Sequence, residues 1–356
     1  MRTSHASKQD SLGVVETARL IAGRILAAVV AFGCVVATGP VLADGGPCSR
    51  AASLQLRACR NEIRDDFYTA KARCIQLSAT ERKACLADAR ADLEDAEKLC
   101  QEQLEARDDL CDELGDDAYD PDFAPAKFDD DFRNLTNPNR YFPLAIGNHW
   151  EYAGGGETVV VEVLDKTKLI EGVTCIVVND RVEIDGKLVE DTDDWYGQRK
   201  DGTVDYCGES VREFETFQGD NPEEPELVEI AGSWKTGRDG ALAGTQFLAA
   251  PSTGTVYRQE WAAGNAEDAA RILSTSYSFG SSAELDEFVP QAVADLLCDD
   301  NCVVTGEFTP IDPSAFERKY YAPGIGMFLA VNPAAGEAVQ LVGCSFDARC
   351  AALPTP

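Results

Sequence analysis

Between Leu56 and Leu104 apolar side chains recur every three or four residues. Leu56, Cys59, Ile63, Phe67, Ala70, Cys74 and Leu77 form one series. Cys85, Ala89, Leu93, Ala96, Cys100 and Leu104 form a second, and Cys111 follows seven residues later. A period near 3.6 with a single apolar stripe predicts two amphipathic helices packed along one seam. Between the series, Ser78-Ala79-Thr80-Glu81 reads as a capping box with Ser78 as N-cap. Gly115 is the expected C-terminal stop. After Tyr141 the alternation shortens to that of strands: Thr158 to Val163, Cys175 to Val182, Leu188 to Tyr196, Thr203 to Cys207, Ala269 to Phe279, Cys302 to Phe308, Phe316 to Ala322, Met327 to Val331 and Ala338 to Val342. Asp185-Gly186 and Asp201-Gly202 are hairpin turns between them. The acidic, weakly periodic stretch from Gly208 to Gly244 is expected as long loops, and Ala283 to Leu297 as a short helix.

The cysteines sharpen the helical reading. Cys48, Cys59, Cys74, Cys85, Cys100 and Cys111 are separated by 11, 15, 11, 15 and 11 residues, a palindromic spacing centred between Ala79 and Thr80. The capping box lies beside that midpoint. Folding the chain back there sets Cys48 level with Cys111, Cys59 with Cys100 and Cys74 with Cys85. Helices packed about 8–10 Å apart bring facing Cα atoms within reach of a disulfide. Two helices alone have little core, so covalent staples suit them. No CxxC occurs, and the spacing fits no zinc module. Of the later cysteines, Cys344 and Cys350 could close a small loop near the C-terminal end. Cys175 with Cys207 is an option between neighbouring strands, leaving Cys298 with Cys302.

The expected fold class is therefore α+β with segregated parts. An antiparallel α-helical hairpin with three disulfides (44–115) is followed by an acidic linker (116–140) and a mainly antiparallel all-β domain (141–356), built as a curved sheet or partial barrel. Four segments of the β domain carry a resemblance: Tyr141-Phe142-Pro143-Leu144, Gly147-Asn148-His149-Trp150-Glu151-Tyr152, Asp194-Trp195-Tyr196 and Tyr320-Tyr321-Ala322-Pro323-Gly324-Ile325-Gly326. Together they resemble a widespread group of exported bacterial β-rich proteins of unassigned activity. The resemblance implies export and a β-rich fold over Tyr141 to Val342, and no reaction.

The first 43 residues read as an export signal. Arg19 and Arg24 precede an apolar run from Ile25 to Thr38, and Val41-Leu42-Ala43 supplies a small-residue cleavage site. Cys34, after Ala31-Phe32-Gly33, is an alternative lipidation point, although Phe32 is bulky for one. The whole chain holds 32 basic and 62 acidic residues; removing four of the first and two of the second with the signal leaves a net charge of −32. Such a surface repels nucleic acid and anionic lipid. No membrane span is expected after signal cleavage, and the charge suits a soluble exported protein, periplasmic or extracellular.

Histidine is nearly absent: beyond His5 in the signal, His149 stands alone. That removes most zinc sites and leaves a catalytic triad a single candidate base. Trp150, Tyr152, Trp195, Tyr196, Tyr320 and Tyr321 sit at strand positions, where they are either ordinary sheet core or the lining of a ligand-holding concave face. Asp129, Asp130 and Asp131 are the candidate calcium ligands, against the plainer reading of a solvated linker. Three functions follow. The first is an envelope binding or interaction protein, its β domain holding a small molecule, lipid or polymer segment and its hairpin spacing or docking it against an envelope protein. The second is a histidine-independent carboxylate-based hydrolase or lyase. The third is a calcium-dependent surface or structural protein.

Overall fold

The structure is a computed structural model that describes residues 45–354; the expected signal and Cys34 lie outside them. The chain divides into two compact units. One holds the helical segment up to Asp120 together with Pro310–Pro313, and the other holds the rest of the chain from Pro121.

In the first unit α1 (Pro47–Ile75) and α2 (Ala79–Leu114) pack as an antiparallel hairpin. The turn is set by the capping box: the Ser78 amide donates to Glu81 Oε2 at 3.2 Å, and the Ser78 side chain accepts from the Glu81 backbone. The seam is formed by Cys59, Ile63 and Cys100, with Leu56, Leu93 and Ala96 against them. All three nested disulfides form, 48–111, 59–100 and 74–85, with Cα separations of 5.8, 5.8 and 5.6 Å. Pro47 opens α1, where its missing amide costs nothing. Asp116 closes the far end. Its carboxylate accepts from the Ser49 amide and hydroxyl, each at 2.8 Å, and from the Gly46 amide. A residue beyond α2 thus satisfies the orphan donors of α1. Within this unit Gln103 donates to the Ile311 carbonyl at 2.7 Å.

The second unit is one antiparallel sheet. In chain order its strands are β1 (His149–Gly154), β2 (Glu157–Ile170), β3 (Val173–Ile184), β4 (Lys187–Gln198), β5 (Val204–Ser210), β6 (Glu213–Glu215), β7 (Glu226–Glu229), β8 (Trp234–Lys235), β9 (Gly244–Phe247), β10 (Val256–Arg258), β11 (Ala269–Tyr277), β12 (Cys302–Phe308), β13 (Phe316–Ala322), β14 (Gly326–Asn332) and β15 (Glu337–Cys344). The strand order is 10-11-12-13-14-15-1-2-3-4-5-8, with β9 also on β5 and the β6–β7 ribbon on β4. Asp185 and Gly186 both take positive φ, 52° and 73°, the two-residue turn whose twist matches its strands.

The sheet does not close into a continuous ladder, but its ends approach. An isolated bridge joins Leu242 to Trp261, with the Leu242 amide donating to the Trp261 carbonyl at 2.9 Å. Beside it, Gly244 runs so close to residue 259 that a Cβ there would overlap the Gln259 carbonyl. The partial barrel encloses the main core. A smaller cluster on the opposite face of β3 and β4 packs Val173, Val177 and Trp195 around the Cys175–Cys207 disulfide. The remaining pairs are Cys298–Cys302 and Cys344–Cys350.

Three expectations are refined. The stretch read as a linker, residues 116–140, is divided: Asp116 caps α1, and from Pro121 the chain packs with the β unit, burying Phe128, Phe132 and Asn139. The long-loop region contains the short strands β6, β7 and β8. The helix expected from Ala283 forms only over Gln291–Leu297 (α3), because Pro290 cannot sit inside it.

Candidate functional site

Carboxylates occupy core-facing positions along the β unit. On β3 the inward residues are Ile176, Val178, Asp180 and Val182; on β4 they are Glu190, Thr192, Asp194 and Tyr196, paired with them across the ladder. Glu157 enters from β2 and Glu209 from β5, where it pairs with Asp194. From the other end of the sheet come Glu307 on β12, Glu317 and Lys319 on β13, and Glu260 and Asp268 between β10 and β11. Nine carboxyl groups are thus contributed from these strands, with the Lys319 ammonium among them, 2.7 Å from Glu307 and 3.8 Å from Glu317.

These groups share one interior. Lys319 and Asp180 are five ladder steps apart, about 24 Å along a flat sheet at 4.8 Å per strand. Yet the Lys319 charge pulls against the burial that raises Asp180, and likewise against that of Asp194, Glu260 and Asp268. Glu317, four steps from Glu157, also adds to the burial that raises the Glu157 pKa. Curvature therefore brings distant strands face to face. Ring contacts agree: Phe247 on β9 lies 4.7 Å from Tyr321 on β13, and Phe142 lies 5.1 Å from Tyr196. Glu307, Glu317 and Lys319 keep side-chain exposures of 11, 18 and 20 %, so solvent reaches these enclosed groups.

Burial governs the electrostatics. It pushes Glu190 up to about 8, partly offset by a 2.8 Å hydrogen bond from the Thr192 hydroxyl. It pushes Glu157 to about 7, aided by Glu317, and Glu317 to about 7 against the pull of Lys319. Asp194 rises only to about 6, because the Tyr206 hydroxyl donates to it. Asp268 also rises to about 6, with the Thr309 side chain opposing burial. Asp180 stands well above the carboxylate range, from burial and then the charges of Asp194 and Glu190. Glu209 and Glu260 are raised by burial, Glu209 further by Glu260 and Glu260 by Asp268. Burial pulls Lys319 down, but Glu307, 2.7 Å away, and Glu317, 3.8 Å away, more than offset it, so its pKa is raised.

Several polar atoms facing this interior lack partners. Glu157 is 4 % exposed and neither of its oxygens accepts a hydrogen bond; Asp180 Oδ1 and the Tyr257 hydroxyl are in the same position.

The aromatic candidates separate into three sets. Tyr196 and Tyr321 face the acidic interior, and Tyr321 donates to Glu307 at 3.2 Å. Tyr152 forms part of the same wall: its hydroxyl donates to the Met327 carbonyl at 3.1 Å, and Asp180 adds to the effect of burial in raising its pKa. Trp150 and Tyr320 are core, each with its polar atom 2.7 Å from a backbone carbonyl, of Ile325 and Leu285 respectively. Trp195 lies on the opposite face of β4, under the Lys168 ammonium. His149 and Glu151 are neighbours on β1, 3.3 Å apart.

Asp129 and Asp131 serve local turns. Asp129 accepts from the Thr136 amide at 2.9 Å and its hydroxyl at 2.6 Å, and Asp131 accepts from Arg133 and Asn134. Among the described residues, Cys48, Cys111 and Asp116 are the one set of three potential metal ligands whose donor atoms lie within 4.8 Å of one another, and both sulfurs are tied in a disulfide.

No family model, curated protein or solved structure matches the chain.

Proposed function

We propose that the protein is an exported cell-envelope binding protein whose β domain holds a small cationic ligand in its acid-lined interior, with the disulfide-stapled hairpin as spacer or docking arm. The observation that carries this reading is Glu157, a buried carboxylate with two unpartnered oxygens facing further carboxylates. A carboxylate buried without a partner is costly. A bound cation would satisfy its oxygens and relieve the mutual repulsion of Asp180, Glu190 and Asp194. Six disulfides suit an oxidising compartment, and no helix among the described residues is long and apolar enough to cross a membrane. In this reading the first 43 residues are the export signal.

Native mass spectrometry of the mature protein, purified from the envelope of an exporting host, tests this. A reproducible adduct that is lost in a Glu157→Gln variant supports it. An adduct indifferent to Glu157, or none after incubation with envelope extract, counts against it.

A second reading rests on one observation. Glu190, at about 8, is protonated at neutral pH, while Asp194, at about 6 on the same face of β4, is ionised. Carboxyls driven apart in this way can act as acid and base in a hydrolase or lyase. Turnover of a captured ligand, abolished by Glu190→Gln, would favour that reading over simple binding.

A further inference from the structure

We propose that the ligand of the acidic interior is a linear polyamine, an alkyl chain carrying two or more ammonium groups, and not a metal ion or a monoamine. This rests on the binding reading above and narrows it. The carboxyls are dispersed: Glu190 and Asp194 point inward four residues apart on β4, about 13 Å along the strand. Glu157 and Glu317 enter from β2 and β13, four ladder steps apart in the sheet. No three of these carboxylates bring oxygens within 4.8 Å of one another, whereas a calcium ion gathers six to eight oxygens at about 2.3–2.6 Å. A dispersed set of acceptors instead matches separate positive charges joined by a flexible chain.

The walls between the acids suit that chain. Tyr196 and Tyr206 stack with ring centroids 4.8 Å apart, and Phe247 and Tyr321 form a second pair 4.7 Å apart. Aromatic faces take methylene contact and attract ammonium groups through the ring quadrupole. Unpartnered acceptors lie in the same space: Glu157, 4 % exposed with both oxygens free of protein donors, and the hydroxyl of Tyr257, 8 % exposed, beside Glu307. Each ammonium brings three donors and no acceptor, the complement of an interior rich in carboxylates. Lys319, 2.7 Å from Glu307, already shows an ammonium accommodated there.

The test is isothermal titration of the mature chain with spermidine, n-butylamine and calcium chloride. It is run at pH 8 in 150 mM salt, which screens attachment to the acidic surface. Two interior variants, Glu157→Gln and Glu190→Gln, are compared with a hairpin variant, Asp108→Asn/Asp112→Asn. Spermidine should bind stoichiometrically, at least tenfold tighter than butylamine or calcium. Either interior variant should weaken it at least tenfold, and the hairpin variant should leave it unchanged. Calcium or butylamine binding as tightly as spermidine, with the same dependence on Glu157, would overturn the polyamine inference and leave the cationic binding reading standing. No interior-dependent binding by any of the three, or spermidine binding that only the hairpin variant weakens, would overturn both. Circular dichroism and thermal melts on each variant confirm that a lost signal is not lost folding.

Discussion

The Tyr206 hydroxyl donates to Asp194 Oδ1, joining inward residues of neighbouring strands inside an otherwise repulsive acidic cluster. That bond favours the ionised carboxylate and opposes the burial that lifts Asp194 to about 6. Tyr206→Phe removes the donor and little else. The Asp194 pKa should rise further, read by carboxyl-carbon NMR titration. The unpartnered acceptor should also cost roughly 1–3 kcal/mol of stability at pH 8. A titration midpoint that stays near 6 would show that the bond does not set the charge of Asp194.

Glu157 supplies a stability prediction whose sign runs against the usual acid denaturation. Its folded pKa, about 7, is above its unfolded value, so the folded protein binds the extra proton. Stability from this group is fully present below about 4.5 and is lost as pH rises through about 7. Asp180, Glu190, Asp194 and Glu317 are raised in the same direction, with Lys319 opposing at Asp180, Asp194 and Glu317. The ligand-free protein should therefore melt higher at pH 5.5 than at pH 8. Glu157→Gln should raise the melting temperature at pH 8 and do little at pH 4.5. A wild-type melting temperature that climbs steadily from pH 5.5 to pH 8 would contradict the cluster's electrostatics.

Binding should carry the same signature. An ammonium bound among these groups favours their ionised forms, so uptake of spermidine at pH 7 should release protons. Titrations in buffers of different ionisation enthalpy measure that release directly. Affinity should fall as pH drops from 8 to 5, as Glu190, Glu157 and Asp194 become protonated in turn. Heats identical in every buffer would mean the ligand does not meet the raised carboxyls.

The helical hairpin was legible because two independent local signals agree. Cysteine spacing fixed the pairs, and Ser78 with Glu81 fixed the reversal, both within one stretch of chain. Strand positions were legible by alternation, and β12 and β13 fall on their expected bounds. The acidic interior was much harder to read, because it depends on phase and curvature. Asp193 and Asp194 are adjacent and identical, yet Asp193 meets Lys166, 3.5 Å away, while Asp194 points inward. The available signal was acids in step with apolar residues, as in Ile176, Val178, Asp180 and Val182. That pattern gives no hint that β13 would curve round to face β3. The aromatic reading failed to separate Trp195 from Tyr196 for a related reason: adjacent strand residues face opposite sides.

The nested bridges predict how the hairpin tolerates loss of a staple. Cys74 and Cys85 close an 11-residue separation at the turn. Their double serine variant should cost about 3 kcal/mol by loop-closure entropy. The capping box and the two outer bridges should still hold the register. Non-reducing peptide mapping of that variant should return 48–111 and 59–100 unchanged. Recovery of 48–59 or another link within one arm would show that the outer bridges do not hold the register without the inner one.

Gly244 tests whether the approach of the sheet's two ends matters to the interior. Its backbone lies against Gln259, and any Cβ would overlap that carbonyl. The segment beside it holds Glu260, whose charge faces Glu209 across the gap. Gly244→Ala must push residues 259 and 260 away from β9, at a cost of about 1–3 kcal/mol for overpacking. The bond from the Leu242 amide to the Trp261 carbonyl, 2.9 Å long, should weaken with it. Faster hydrogen exchange at Leu242, while β2 and β3 keep their protection, would show the ends parting with the sheet intact. The Glu209 and Glu260 pKa values should then fall toward the ordinary carboxylate range as water enters between them. Unchanged exchange at Leu242 and an unchanged melting temperature would mean that the close approach of β9 to Gln259 is not a fixed feature of the fold.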